Sequence, residues 1–354
     1  MPRSLTSHTS DRLASGHAEN AEPTTGDRTL GLGYASVTGG DGGIVTTGWK
    51  VGIGTVVVVV TMTVAMWFTI AYISADAILN PSPPRELPFL AEQMFQAQAV
   101  EFPARDGVRI GALWVPTVAP AGSELAQTKR PTVILLHGYG QTRDVLLPQA
   151  ELIVNAGFNA LIIDFRGHGT SAGEVAALGT LDAHDVLGAM DYLNTRPDVD
   201  TSRIGLQGIS MGAAAGVIAA AQDLRVRGVI AEEPVSSLHD AVWTAYRDRL
   251  SLPAFLFRDV TLWLVERRLG QPLSEVSPTE AAARLTPRPL LVIDHADEAP
   301  VEPGGAERLL NAAGDPKELW VSPVYKNEGQ GSPVSPAYAT RVLGFWRATF
   351  GLQP

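Results

Sequence analysis

Ser210 stands in the pentapeptide Gly208-Ile209-Ser210-Met211-Gly212, between an apolar run over 203–209 and a small-residue run over 211–222. A serine on a sharp strand-to-helix turn is placed for nucleophilic acyl transfer. Glycines two residues to either side let strand and helix approach closely and leave the hydroxyl exposed. Two more ingredients are then required. A base must accept the proton, because a serine hydroxyl is a weak nucleophile until a neighbour removes it. Donors must also face the oxygen that becomes negative, each worth about 3–4 kcal/mol. The turn His137-Gly138-Tyr139-Gly140, at the end of "TVILLHGYG", offers backbone N–H groups that join Met211 in that task. The base is harder to find. The seven histidines are His8, His17, His137, His168, His184, His239 and His295, and none lies between positions 296 and 354.

The elements that must carry these residues are legible as short Val- and Ile-rich runs: "TVILLHG", "NALIIDF", "RIGLQGIS", "RGVIAEEP" and "PLLVIDH", with helical segments between them. Runs apolar on both faces and alternating with helices imply a mostly parallel sheet covered on both sides. "AVEFPA" and "VRIGALWVP", split by Arg105-Asp106-Gly107, read as an antiparallel hairpin leading into it. The glycine-rich loop after "LIIDF" holds Asp164, Arg166 and His168.

These three motifs, in this order, resemble the α/β-hydrolase fold, in particular membrane-anchored bacterial members related to serine esterases and aminopeptidase-like hydrolases, over residues 98–352. The resemblance implies an eight-stranded sheet with helices on both faces and a small helical cap. It makes Ser210 the nucleophile after strand five, and the Tyr139 and Met211 N–H groups the oxyanion donors. It makes the Asp164 to Gly167 loop architectural, and His168 with it. In the family the acid follows strand seven and the histidine follows strand eight. Aligned from His295 to Pro303, Ala299 stands where the aspartate belongs, and Asn327 occupies the histidine position.

Substitutes are available on paper. Asp297, Glu298 or Glu232, with Glu233 beside it, offers a carboxylate, and His295, His239 or His137 offers an imidazole. Lys326 lies in a glycine-rich loop, poorly suited to the burial that lowers a lysine's pKa. His184 shares a helix with Asp185 and Asp191, both expected to face solvent or cap loops, and no metal role is expected there. Loss of the serine or histidine from such a triad costs on the order of 10⁶-fold in turnover. The sequence therefore predicts a weak or inactive hydrolase that binds an apolar, acyl-type ligand. A working ester or amide hydrolase with a non-standard base is the alternative.

Composition narrows the rest. The chain has 354 residues, a net charge of −10 and no basic run, which disfavours a nucleic-acid partner. With no cysteine, thiolate metal sites and cysteine nucleophiles are excluded. No cofactor is implied. Residues 1–48 read as a disordered tail. Residues 49–75 read as a transmembrane helix, uncharged from 51 to 75 and long enough to cross a bilayer, with Trp67 and Tyr72 suited to an interface. A signal peptide is the alternative. Lys50 before the segment and Arg85 as the first cation after it favour a cytoplasmic tail and an external hydrolase domain. Residues 76–97 read as a Pro-rich linker, and 98–354 as the hydrolase domain. A cap spans about 236–270, with Phe255, Phe257, Leu262, Trp263 and Leu264 at helical spacings. The cap reads as a lid on the sheet, with an acyl-binding wall or a bilayer-resting surface as the functional alternatives.

Overall fold

The computed structural model describes residues 42–81, 96–117, 129–242, 254–296, 302–323 and 333–352. Two compact units are distinguished, 1–58 and 59–354. The described part of the first is the opening portion of helix α1 (Gly42–Leu79), with Val51, Val56, Val57 and Val58 exposed. The helix starts earlier and ends later than the sequence suggested. Its last residues, read above as linker, are held by burial of Ile78 and Leu79 and by a 2.9 Å ion pair between Asp76 and Arg268. Across its most apolar stretch α1 has a mean hydropathy of 2.2 and only 6% of that window is buried, so by length and composition it can cross a membrane. Its hydroxyls do not spoil that character. Thr55, Thr63, Thr69 and Ser74 each donate to the carbonyl four residues back, at 2.8–3.0 Å.

The second unit is built on one eight-stranded sheet: β1 (Gln98–Pro103), β2 (Arg109–Val115), β3 (Arg130–Leu136), β4 (Asn159–Ile163), β5 (Val199–Ile209), β6 (Val226–Glu232), β7 (Leu290–His295) and β8 (Lys317–Ser322). Their order is β1-β2-β4-β3-β5-β6-β7-β8. β2 pairs antiparallel with both neighbours, and all other pairs are parallel. This is the α/β-hydrolase fold expected from the alternation of apolar runs and helices.

The two faces are covered separately, as continuous apolar strands require. One face packs α3 (Asp182–Leu193), α4 (Met211–Gln222), α6 (Pro278–Ala283) and α7 (Gly305–Ala312) on Leu136, Leu206, Ala231 and Val292. The other packs α2 (Leu147–Asn155) and α8 (Pro336–Thr349) on Leu135, Ile209, Ile230 and Ile293. A third apolar cluster joins Ala71, Ala75, Ile78 and Leu79 of α1 to Ala214, Leu238 and the cap helix α5 (Ala254–Leu269). On α5 the expected apolar group divides: Phe257 and Leu262 face inward, whereas Phe255 and Trp263 are exposed.

Candidate active site

Register places the turn. Leu136 of β3 lies opposite Gly208 of β5, so the segment following β3 runs beside residues 209–211. At the junction of β5 and α4, Ser210 takes φ +50° and ψ −110°, backbone that an L-residue enters only under constraint. The two glycines are there for space. A Cβ on Gly208 would stand 2.5 Å from the Gly212 carbonyl carbon, and one on Gly212 would stand 2.5 Å from the Leu136 carbonyl oxygen. Strand and helix thus cross at a separation no side chain permits. Ser210 donates its N–H to the Glu232 carbonyl at 2.8 Å, and its carbonyl accepts from Ala214 at 3.1 Å as α4 begins. Met211, in the first turn of α4, has an N–H with no acceptor within the helix, where the helix end favours a negative oxygen.

The turn after β3 is held by Gln141 from within and by His168 from the loop after β4. Gly138 donates to Gln141 Oε1 at 2.9 Å, Gln141 N–H returns a bond to the Gly138 carbonyl at 3.3 Å, and Gly140 N–H donates to His168 Nε2 at 3.2 Å. Tyr139, the other expected oxyanion donor, lies between those tied residues, and its hydroxyl donates to the Ile78 carbonyl of α1.

Two histidines are occupied here as scaffold. His137 Nε2 accepts from Phe165 N–H at 3.0 Å, which leaves Nδ1–H to donate to the Gly138 carbonyl at 2.8 Å. Burial and the neighbouring His168 push its pKa down to about 3, so the ring stays neutral with both nitrogens committed. The suggestion that His137 substitutes as base is therefore corrected: its one lone pair already holds the loop after β4. His168 is bonded on the same plan, with Nε2 accepting from Gly140 and Nδ1–H donating to the Arg166 carbonyl at 3.0 Å. Both of its ring nitrogens are thus committed to backbone.

The loop after β4 continues this pattern. Asp164 accepts from the N–H groups of Arg143 at 2.8 Å and Thr170 at 3.1 Å. The Arg166 guanidinium, its pKa raised by hydrogen bonds to Asp106 and Asp185 against the cost of burial, forks between those carboxylates at 2.6–2.9 Å. Asp106 is held down to about 2 by the Arg166 hydrogen bond, with His184 adding to the effect. Asp185, read from sequence as facing solvent or a loop, is instead buried beneath Arg166. Asp191 is half-exposed and pairs with Arg105 and Arg225. His184 stands 3.4 Å from Asp106, and among the described residues no group of three or more His, Asp and Glu is arranged to hold a metal.

A different polar group lies at the ends of β6 and β7. Glu232 sits opposite Ile209 on one side and Ile293 on the other, and its side chain enters the face covered by α2 and α8. His295 Nε2 lies 3.1 Å from Glu232 Oε1, with both side chains at most 1% exposed. The second carboxylate oxygen accepts from the Tyr338 hydroxyl at 2.7 Å, and that hydroxyl accepts from Gln149 Nε2 at 2.9 Å and Gln207 Nε2 at 3.1 Å. Trp346 Nε1 donates to Gln207 Oε1 at 3.1 Å, which closes the network. Sequence reasoning named Glu232 and His295 but missed Tyr338, Gln149 and Gln207. The available signal was Gln207, a polar residue inside an apolar strand, which demanded a buried partner. Glu233 follows at φ +46°, so two non-glycine residues in left-handed backbone, Ser210 and Glu233, end adjacent strands.

His239 is half-exposed and lies 3.3 Å from its neighbour Asp240. Ala299, Asn327, Asp297, Glu298 and Lys326 lie outside the described residues. The return from β7 is nevertheless fixed at Glu302, buried at 5%, which accepts from Ser236 N–H and Oγ at 2.6 Å each and pairs with Arg308. That clamp fastens the end of the acid loop to the loop after β6. Among the described residues no imidazole is hydrogen-bonded to Ser210 Oγ.

The sheet order, the glycine-flanked turn and the helices on both faces define a protein of the α/β-hydrolase class. Solved structures agree on the fold. An esterase of Pyrococcus furiosus superposes with a TM-score of 0.58 at 23% identity, over 76% of this chain and 100% of that one. The family model for X-Pro dipeptidyl-peptidase (S15 family) matches residues 106–333, and the chain belongs to that family. Among curated relatives, a 31.7 kDa protein of the traX–finO intergenic region of Escherichia coli is 37% identical over 106 residues, 29% of this chain. That match spans only 37% of the relative's length. The Escherichia coli K12 protein YfhR is 26% identical over 255 residues, 71% of this chain and 77% of its own.

Proposed function

We propose that this is a membrane-anchored member of its family, with the nucleophile turn and oxyanion donors of a serine hydrolase but no histidine in the usual base position. It would bind an apolar, acyl-type ligand with weak or no turnover. The supporting observation is the commitment of the imidazoles. His137 and His168 are bonded to backbone through both nitrogens, His295 faces Glu232, His184 stands beside Asp106, and no histidine follows position 295. A serine without its base retains about 10³-fold acceleration over water from oxyanion stabilisation and binding. α1 serves in this reading as the anchor, with the hydrolase domain outside the cell.

The decisive experiment is labelling of the full chain with a fluorophosphonate probe, with p-nitrophenyl ester turnover measured alongside. Wild type is expected to label feebly. The pair Ala299→Asp with Asn327→His is expected to raise turnover by about 10² or more, dependent on Ser210. Strong wild-type labelling that disappears in Ser210→Ala would overturn this reading.

One observation favours a second reading, in which the protein is an active ester or amide hydrolase. The buried Glu232–His295 pair is an acid and an imidazole at hydrogen-bond distance, and Glu232 ends the strand that pairs with the one leading into Ser210. Brisk wild-type turnover lost in His295→Ala, with the fold intact, would establish it.

A further inference from the structure

We propose that the N-terminal tip of cap helix α5, Phe255 and Leu256, is immersed in the same bilayer leaflet that α1 enters, so that lipid covers the outer edge of the cap. The inference rests on the reading of α1 as membrane-crossing and goes beyond it by giving the hydrolase domain its own lipid contact.

The argument begins with how α5 lies against α1. The Trp67 indole donates to the Leu256 carbonyl at 2.7 Å, and the Trp67 and Phe257 rings are 6.4 Å apart. Further along both helices Arg268 pairs with Asp76 at 2.9 Å and lies 4.4 Å over the Tyr72 ring. The two helices therefore run side by side in the same direction, with the start of α5 level with Trp67.

That level has a physical meaning. Counted from Val51, where the uncharged run begins, the roughly 20 residues needed to cross a hydrocarbon core end near Ile70. Trp67 then falls at the boundary on the domain side, where an indole is favoured. The hydrogen bond from Trp67 brings Leu256 to the same depth.

Exposure and charge agree with this placement. Phe255 is 87% exposed and Leu256 45%, beside an α1 surface on which Met66 is 60% exposed and Phe68 45%. Exposed apolar side chains thus stand on both helices at this level. The depth is also limited. Asp259, with a side chain 98% exposed, follows Phe255 by one turn, about 6 Å along the axis, with Arg258 beside it at 3.9 Å. Beyond it stands the exposed Trp263, with Arg267 5.9 Å from its ring. Apolar tip, then charged turn, follow in the order that an interface imposes on a helix that enters it end-on. Only the tip enters hydrocarbon, and Asp259 stays at headgroup level.

The absence of cysteine permits a clean test. Four single-cysteine variants of the full chain, Val59→Cys, Phe255→Cys, Asp259→Cys and Leu224→Cys, are labelled with an environment-sensitive fluorophore. They are reconstituted in vesicles of phosphatidylcholine and phosphatidylglycerol, with aqueous iodide or doxyl-labelled lipid as quencher. The labels at 59 and 255 are expected to be quenched by the lipid and to be about fivefold less sensitive to iodide than the label at 224, because hydrocarbon excludes water and ions. The label at 259 is expected to respond to iodide like that at 224. If 59 is shielded while 255 is as open to iodide as 224, the anchor stands and the tip proposal fails. If 59 is itself open to iodide, the anchor reading fails and takes the tip with it. Protection of 255 without quenching by doxyl lipid would mean that protein covers the tip, and would also overturn the proposal.

Discussion

The loops after β3 and β4 and the strand ends of β6 and β7 are both buried and both polar, yet they are wired differently. In the first region the histidines and Asp164 bond to main chain, with the Arg166 fork to Asp106 and Asp185 beside them. His137 accepts from Phe165, His168 from Gly140, Asp164 from Arg143 and Thr170, and Asp185 from Arg166. Such bonds dictate where a loop runs, and they occupy both ring nitrogens of His137 and His168. In the second region side chains bond to one another, from His295 through Glu232 and Tyr338 to Gln149 and Gln207. This network ties β5, β6 and β7 to α2 and α8, and it contains an acid next to an imidazole. The contrast separates polarity that shapes a backbone from polarity that could still move a proton.

Substitution can sharpen the contrast. The largest effect is expected where backbone meets backbone. Gly212→Ala drives a methyl into the Leu136 and His137 carbonyls and should cost about 3 kcal/mol, read as a lower urea midpoint at unchanged slope. Tyr338→Phe comes next. It removes the hydroxyl shared by Glu232, Gln149 and Gln207 and should cost about 2 kcal/mol by leaving buried groups unpaired. A loss below a few tenths would mean that the network is looser than its distances indicate. Ser210→Gly should run the other way, stabilising the fold by about 1 kcal/mol through relief of its left-handed backbone, at the cost of all nucleophilic labelling. The smallest effect belongs to the partly exposed Asp106. Its pKa is about 2 when folded, against an ordinary 3.8, so its contribution is full above about pH 4 and fades as the pH falls toward 2. In Asp106→Asn that acid-induced loss should be shallower, as followed by thermal melts between pH 2 and 5.

Much of this was legible in the residues. Strand runs apolar on both faces announce a parallel sheet without ambiguity, and the glycine pair around Ser210 announces a tight crossing. Asp185 was misjudged because a helix's buried side depends on which loop lands on it. Arg166 arrives from another part of the chain, and no helical spacing reports that. Gln149, Gln207 and Tyr338 are separated by 58 and 131 positions, too far for pattern to join them. The split of α5 into inward Phe257 and outward Phe255 was likewise invisible, since α1 occupies only one of its sides.

The final turns of α1 have a practical consequence. Leu79 offers its carbonyl to Ala176 N–H at 2.8 Å, Ile78 offers its own to Tyr139, and Ala71, Ala75, Ile78 and Leu79 are buried against Ala214, Leu238 and α5. The end of α1 is thus seated in the hydrolase domain and is not a loose tether. Expression trials that begin the chain at Asn80 should strip a greasy socket bare and give aggregates, whereas starting near Thr63 should keep the plug in place.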